Sequence, residues 1–410
     1  MIAPRITTDV DRPLFFTTVL LALIGIAFVF SATALPSSSA PEHGLYLKQL
    51  VWLGIALVGG TLAAAVPYRI FEGKTAWLLY GLATVSLVLT MFVGHEGLGA
   101  QRWLGWGPLK FQPSEIAKVA LVLALATMLS GRRVTLTHLP TLGRALLVTG
   151  VPFLFVLKQP DLGTSLCFLV VLFTMLFWAG IPTLFLFLLL TPILNVALSF
   201  YFPAWALFAL TLAFVLYKSR LRLAPMILVV AVNLAVGIAT PQVWNHLEPY
   251  QRQRISTFLD PNADPYGAGY QIIQSKIAIG SGGVTGKGFL HGTQKGLEFL
   301  PEQHTDFIFS VVGEETGFLG AAFVTVLYML LILRGVRVAQ RARNRFGGLM
   351  AVGLTSIFLY HVLVNICMTV GLAPVTGLPL PLLSYGGTSL LTSFLQVGLI
   401  QNVAMRWREY

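Results

Sequence analysis

Long apolar runs, separated by short polar segments, dominate the sequence. Several runs reach about 18–22 residues, the length that a helix needs to cross a hydrocarbon core of about 30 Å. Only helices and closed barrels satisfy every backbone polar group in lipid, and these runs lack the alternation of a barrel strand. The pattern therefore predicts an all-α polytopic membrane protein, in which residues 1–410 form a single membrane-embedded domain.

Composition supports this class. Charged side chains make up 10% of the 410 residues, against about 25% in soluble domains. The two cysteines, Cys167 and Cys367, each lie inside an apolar run, which indicates packing rather than a disulfide framework. The pattern predicts about twelve spans: 14–34, 49–66, 75–93, 114–129, 145–156, 164–179, 182–200, 205–217, 224–239, 306–333, 347–368 and 389–405.

Basic residues set the expected orientation. The net charge of +11 is scattered through loops, so it indicates topology rather than nucleic-acid binding. The Lys- and Arg-rich loops place both termini in the cytoplasm and the long polar segment at about 244–305 on the extracytoplasmic side. A cleavable signal peptide is the competing interpretation of the N-terminus, because 32–34 resembles a cleavage site. The apolar run is too long for a signal core, however, and Asp9 and Asp11 precede it.

The main candidate for a catalytic group is Asp306, at the junction between the long polar segment and the next span. Asp306 precedes an apolar helix, and His304 is two residues away. An acid at a helix start often only caps the helix. Its polar neighbours, which include Glu298 and Glu302, favour a carboxylate that accepts a proton during catalysis. Both interpretations stay open from chemistry alone.

The same segment supplies cations and a glycine-rich run. Residues 280–288 carry five glycines; Lys287 lies within this run, and Lys276 lies four residues before it. Bare backbone N–H groups with an ammonium group suit an oxyanion, although the spacing is not that of a nucleotide P-loop. A flexible turn with solvated lysines is the alternative.

A second constellation lies near 99–118. Glu115 and Lys118 are three residues apart and share one helix face, so they can pair near the membrane boundary. Ionisable residues within spans are costly and usually functional, but a structural pair is equally compatible with the spacing. Trp103 fits an interfacial aromatic. His361 and Asn365, four apart, suit helix–helix hydrogen bonding.

Together these stretches resemble the SEDS family (shape, elongation, division and sporulation), and in particular its RodA branch. The matching runs are Gly99-Ala-Gln-Arg-Trp103, Gln112-Pro-Ser-Glu-Ile-Ala-Lys118, Gln159-Pro-Asp-Leu-Gly-Thr164, Asp264-Pro-Tyr-Gly-Ala-Gly-Tyr-Gln271, Ser275-Lys-Ile-Ala-Ile-Gly-Ser-Gly-Gly283, His291-Gly-Thr-Gln294, Glu298-Phe-Leu-Pro-Glu302, His304-Thr-Asp-Phe-Ile-Phe309 and Pro379-Leu-Pro-Leu-Leu-Ser-Tyr-Gly-Gly387. They follow one another in order over nearly the whole chain.

The resemblance implies a peptidoglycan glycosyltransferase that polymerises lipid II at the outer face of the bacterial cytoplasmic (inner) membrane. It implies a class B penicillin-binding protein and other elongation-complex membrane proteins as partners. The family's essential acid falls on Asp306, its functional tryptophan on Trp103, and its buried charged pair on Glu115 and Lys118. The family usually has ten membrane helices, so the surplus is read as an added hairpin near 182–219.

Joining both lines of reasoning, we expect Asp306 to act as general base on the acceptor sugar. Cations must stabilise the pyrophosphate leaving group. Arg102, Lys118, Lys276, Lys287 or a divalent cation are the candidates. Trp103, Glu115 and His304 complete the expected substrate-binding set. A lipid II flippase, or a scaffold that only activates a transpeptidase, is the alternative function; no inverted repeat of the kind common in transporters is visible.

Overall fold

The computed structural model describes residues 10–33, 44–97, 100–105, 111–131, 139–219, 221, 223–246, 252–253, 256–258, 260, 264, 269–293 and 303–407. Its helices are α1 (Arg12–Thr33), α2 (Leu45–Ala65), α3 (Lys74–Val93), α4 (Pro113–Leu129), α5 (Leu139–Lys158), α6 (Leu162–Ala179), α7 (Thr183–Leu198), α8 (Phe202–Lys218), α9 (Leu223–His246), α10 (Tyr270–Ser281), α11 (Ile308–Arg341), α12 (Arg345–Thr369) and α13 (Gly387–Met405), with a 3₁₀ turn at Tyr68–Phe71. Helices occupy all twelve predicted spans. Within the described ranges, eight helices are long and apolar enough to cross a membrane.

Helix α10 and a short β-hairpin lie outside the predicted spans. Helix α10 lies inside the long polar segment, and strands β1 (His95–Gly97) and β2 (Ala100–Trp103) form an antiparallel hairpin after α3. Neither has the apolar length that marks a span. Both lie at the end of the bundle where α1 ends and α11 begins, which we call the site end.

The bundle has a buried centre and an exposed flank. Helix α12 is the centre of the bundle: 78% of its most apolar 18-residue stretch is buried, against 11% for α9. Most of the remaining helices pack around α12 in one continuous apolar core, while α7, α8 and α9 have their own small cluster. The added hairpin is therefore peripheral to the core.

A polar network joins that hairpin to α9. The Asn195 side-chain amide donates to the Asn233 carbonyl at 2.6 Å, and the Asn233 amide donates to Thr191 at 2.9 Å. The Trp205 indole N–H donates to the Asn195 oxygen at 2.8 Å. Hydrogen bonds of this kind are specific contacts between helices in lipid, so α7, α8 and α9 form one unit.

The predicted span at 306–333 is broken in the structure. Gly317 has φ 64° and ψ −163°, which interrupts α11 one third of the way along. The residues after α10 fill the break: the N–H groups of Lys287 and Gly288 donate to the carbonyls of Glu314 and Glu315 at 3.1 and 2.9 Å. The glycine-rich run is thus packed against α11, and at least these two N–H groups are used within the protein.

Close backbone contact explains two of these glycines. A Cβ on Gly282 would lie 2.1 Å from the carbonyl oxygen of Gly313, and a Cβ on Gly286 would lie 2.1 Å from that of Glu315. Gly280, two residues before Gly282 and still on α10, has no heavy atom within 4 Å of its would-be Cβ. Only some positions in the run therefore require glycine for packing.

We predict that Gly282→Ala destabilises the protein by about 1–3 kcal/mol, because backbone must move to admit the methyl group. Gly280→Ala is the matched control, since it adds the same atom to open space and improves helix propensity. Thermal unfolding of the two purified variants in one detergent checks this. Equal midpoints would contradict the close packing of α10 on α11.

Candidate active site

Asp306 lies in a turn, residues 303–307, directly before α11. The N-cap position of α11 is Phe307, so Asp306 lies one residue outside the capping position. Its backbone carbonyl accepts a hydrogen bond of 2.8 Å from the Asn365 side-chain amide. The half-buried carboxylate faces Gly377, whose would-be Cβ lies 3.4 Å from Oδ2. The acid is therefore held between α11 and the loop at 370–386.

The neighbours of Asp306 bind the same loop. The Tyr385 N–H donates to the His304 carbonyl at 2.9 Å, and the Ser384 hydroxyl donates to the Thr305 carbonyl at 2.6 Å. The rings of His304 and Tyr385 meet edge to face with centroids 5.8 Å apart. Burial raises the pKa of the Tyr385 phenol, which keeps this ring neutral beside the site. His304 thus lies next to Asp306 and is anchored through its backbone.

The second constellation is fully buried. Lys118 is 0% exposed and Glu115 is 5% exposed. The Lys118 ammonium group lies 2.7 Å from Glu115 Oε1 and 2.8 Å from His361 Nε2. The Thr392 hydroxyl donates to the other Glu115 oxygen at 3.2 Å. The pair therefore connects α4, α12 and α13.

One face of α12 joins the two constellations. His361 contacts Lys118, and one turn later Asn365 donates to the carbonyls of Asp306 and Leu378 at 2.8 and 2.7 Å. The chain of contacts from Asp306 to Lys118 therefore passes through two side chains four residues apart. From the sequence we predicted only that His361 and Asn365 make helix–helix hydrogen bonds. The feature that could have linked them to the site is a pair of polar residues, four apart, within an apolar span.

Arg102 ties the β-hairpin to the turn between α5 and α6. Its guanidinium donates to the carbonyls of Gln159 and Pro160 and lies 3.9 Å from Asp161 Oδ2. Asp161 in turn caps α6 by accepting from the N–H of Thr164 at 3.0 Å. Arg102 is therefore largely engaged by the protein. Trp103 follows it at the end of β2, half-buried at the site end.

The two predicted lysines have different surroundings. The Lys287 ammonium group pairs with Glu314 at 2.8 Å and donates to the Thr293 hydroxyl at 2.7 Å. Lys276 is exposed on α10, and its Nζ lies 2.6 Å from the would-be Cβ of Gly371 at the start of the 370–386 loop. Lys276 thus faces the same loop as Asp306, whereas Lys287 supports the break in α11.

Two of the predicted neighbours of Asp306, Glu298 and Glu302, lie outside the described residues. Among the residues that are described, His, Cys, Asp and Glu side chains form no cluster of three or more that could hold a metal ion. A divalent cation at the site stays a prediction from the sequence, and the residues present assign no ligand set to it.

Comparison with known proteins identifies the family of this chain. The family model for cell cycle proteins of the FtsW, RodA and SpoVE type matches residues 11–208 and 202–409. The chain belongs to this family. It is 40% identical over 401 residues to the peptidoglycan glycosyltransferase MrdB of Escherichia coli K12, covering 98% of this chain and 96% of that protein. It is 34% identical over 434 residues to the peptidoglycan glycosyltransferase RodA of Treponema pallidum, covering 98% and 99%.

Solved structures agree with these relatives. A chain from a peptidoglycan synthase complex, described as coordinating polymerization and crosslinking, has 32% identity, a TM-score of 0.73 and coverage of 98% of this chain and 99% of its own. RodA of Thermus thermophilus, a rod shape determining protein, has 27% identity, a TM-score of 0.64 and coverage of 98% and 99%.

These findings confirm the predicted family and fold class, an all-α polytopic membrane protein. They also confirm the predicted activity at the level of a peptidoglycan glycosyltransferase. The roles of individual residues stay predictions.

We predict that Lys118→Met destabilises the protein by about 3–5 kcal/mol, because it leaves the Glu115 carboxylate buried without its cation. The double variant Glu115→Leu/Lys118→Met removes both charges and is expected to recover much of that loss. Unfolding midpoints of the wild type, the single variant and the double variant form the measurement. A double variant no more stable than Lys118→Met would show that the pair's charges are not what matters.

Proposed function

We propose that this chain polymerises lipid II into glycan strands for cell-wall elongation and rod shape, with Asp306 as general base. One observation carries this assignment: the Asp306 carboxylate lies half-buried at a junction of non-helical backbone at the site end. Non-helical backbone at membrane depth is tolerated where it is buried in protein or lines a cavity. That junction is where a lipid-anchored sugar can reach an acid.

The proposed step is a single displacement. The Asp306 carboxylate accepts the proton of the acceptor sugar 4-hydroxyl as that oxygen bonds to the anomeric carbon of the growing chain. The bond from that carbon to the lipid pyrophosphate breaks, and the pyrophosphate leaves with the electron pair. Attack from the opposite face inverts the anomeric centre. A general base of this kind contributes about 10²–10⁴-fold in rate.

Among the four predicted cations, the geometry favours Lys276 for the leaving group. Lys118 is buried against Glu115, and Lys287 is paired with Glu314. Arg102 donates to two carbonyls. Lys276 is exposed and lies against Gly371, so its charge can approach an incoming pyrophosphate at little cost. Helix α10 holds it there, because Ser275 bonds both Ser310 and the Thr369 carbonyl at 2.6 Å.

Orientation and location follow from charge. The end opposite the site carries arginines such as Arg12, Arg334 and Arg345, which by the positive-inside rule belong in the cytoplasm. We therefore place both termini in the cytoplasm and the site at the outer face of the bacterial inner membrane. The partner we propose there is a class B penicillin-binding protein, with further elongation-complex membrane proteins; the similarity to a chain of a peptidoglycan synthase complex supports this.

We predict that Asp306→Asn lowers lipid II polymerisation at least about 100-fold, because an amide cannot accept the hydroxyl proton. The measurement is polymer formation by purified protein with its partner, with and without a chelator. Asp260→Asn is the matched control, since it removes an exposed acid from the same long segment. Unfolding midpoints and partner binding of both variants show whether they fold.

Substantial polymer from folded Asp306→Asn would exclude the base assignment. The flippase alternative makes a different prediction: headgroup translocation in proteoliposomes that contain no glycan acceptor. Translocation that persists in Asp306→Asn, with no polymerisation by the wild type, would favour transport.

We predict that Lys276→Gln lowers kcat roughly tenfold or more while leaving the unfolding midpoint unchanged, because an exposed cation contributes mainly to charge that develops in the transition state. Lys158→Gln is the control: Lys158 is also an exposed lysine at the site end, on the last turn of α5. Steady-state kinetics of both variants with lipid II are the measurement. Equal activity of the two variants would remove Lys276 from the mechanism.

A further inference from the structure

A basic cavity lies at the end opposite the site. It has a volume of about 350 Å³ and lies between the first turn of α1, the last turns of α11 and the residues after α13. Its lining includes four arginines and a tryptophan: Arg12, Arg334, Arg337, Arg341 and Trp407. Neither the mechanism nor the predicted partners account for this cavity.

The cavity retains a positive charge after its ion pairs are counted. Asp11 binds Arg334 through both carboxylate oxygens, with Nε to Oδ1 at 3.0 Å. Over the described part of the chain, this is the ion pair found at the cavity. Arg12, Arg337 and Arg341 are exposed and add three charges that Asp11 does not offset. Such a cluster suits an anion with several acceptor oxygens, such as a phosphate group.

The surroundings point to a lipid rather than a soluble anion. Phe16 lies one helical turn from Arg12 on the same face of α1, and Leu333 lies one turn from Arg337 on the same face of α11. Phe16 is 65% exposed and Leu333 is 53% exposed. From Arg12 and from Arg337 toward the middle of the membrane, the exposed surface of each helix therefore becomes apolar. Trp407 suits the headgroup level.

We infer that this cavity binds the phosphodiester headgroup of an anionic glycerophospholipid, with the acyl chains along the exposed faces of α1 and α11. Basic pockets between membrane helices bind such headgroups. The arginines at 337 and 341 are four apart on α11 and approach the phosphate from one side, while Arg12 approaches from α1. The bound lipid bridges the two helices at this end.

Lipid binding to the delipidated full-length protein in neutral detergent tests this inference. Native mass spectrometry would follow titration with dioleoyl-phosphatidylglycerol and, separately, with dioleoyl-phosphatidylcholine. We expect one tightly bound phosphatidylglycerol and weaker phosphatidylcholine binding. Arg337→Gln/Arg341→Gln should raise the apparent Kd for phosphatidylglycerol roughly tenfold or more.

Arg343→Gln/Arg345→Gln is the matched control. It removes two exposed arginines of the neighbouring turn that do not line the cavity, and it should change the Kd by less than about twofold. Equal weakening by both double variants would show a general charge effect and overturn the site. Phosphatidylcholine binding as tight as phosphatidylglycerol would also overturn it. Displacement of the lipid by millimolar glycerol 3-phosphate would assign the cavity to a soluble phosphate instead.

Discussion

The site depends on one constraint: backbone that is neither helix nor strand, yet is held inside a membrane protein, must find hydrogen-bond partners within the protein. The turn at 303–307 and the loop at 370–386 provide hydrogen-bond partners to each other. The Tyr385 N–H, for example, donates to the His304 carbonyl. Asn365 of α12 adds two more hydrogen bonds, because its side-chain amide donates to the carbonyls of Asp306 and Leu378. Asp306, the proposed general base, is therefore positioned through its own main chain.

The same constraint explains the break in α11. Gly317 leaves the carbonyls of Glu314 and Glu315 without helical partners, and the segment after α10 provides them. The acidic side chains then serve as anchors: Thr293 donates to Glu314 at 2.8 Å through its N–H, and Ser31 donates to Glu315 at 2.6 Å. The two acids Glu314 and Glu315 are thus bound where the long helix α11 is interrupted.

The sequence predicted the features that depend on the length of an apolar run or on two charged residues close together in the chain. The twelve spans and the Glu115–Lys118 pair were predictable, because helical periodicity places both within a local stretch. Helix α10 and the break at Gly317 were not, since each is stabilised by contacts distant in the chain. The β-hairpin was not either, because its strands are only three and four residues long. The same holds for Arg102: its charge was visible, but its bonds to Gln159 and Pro160 lie 57 and 58 residues away.

The buried Glu115–Lys118 pair bears on how the neighbouring helices are positioned. Such a pair contributes little stability compared with apolar packing, because desolvation offsets the attraction. Its contacts instead specify geometry: Glu115 meets Thr392 of α13, and Lys118 meets His361 of α12. A shift of α4 by one turn would keep the pair, since both residues lie on α4, but it would remove the contacts with His361 and Thr392. We interpret the pair as fixing the register of α12, and through Asn365 of that helix the register of the turn that carries Asp306.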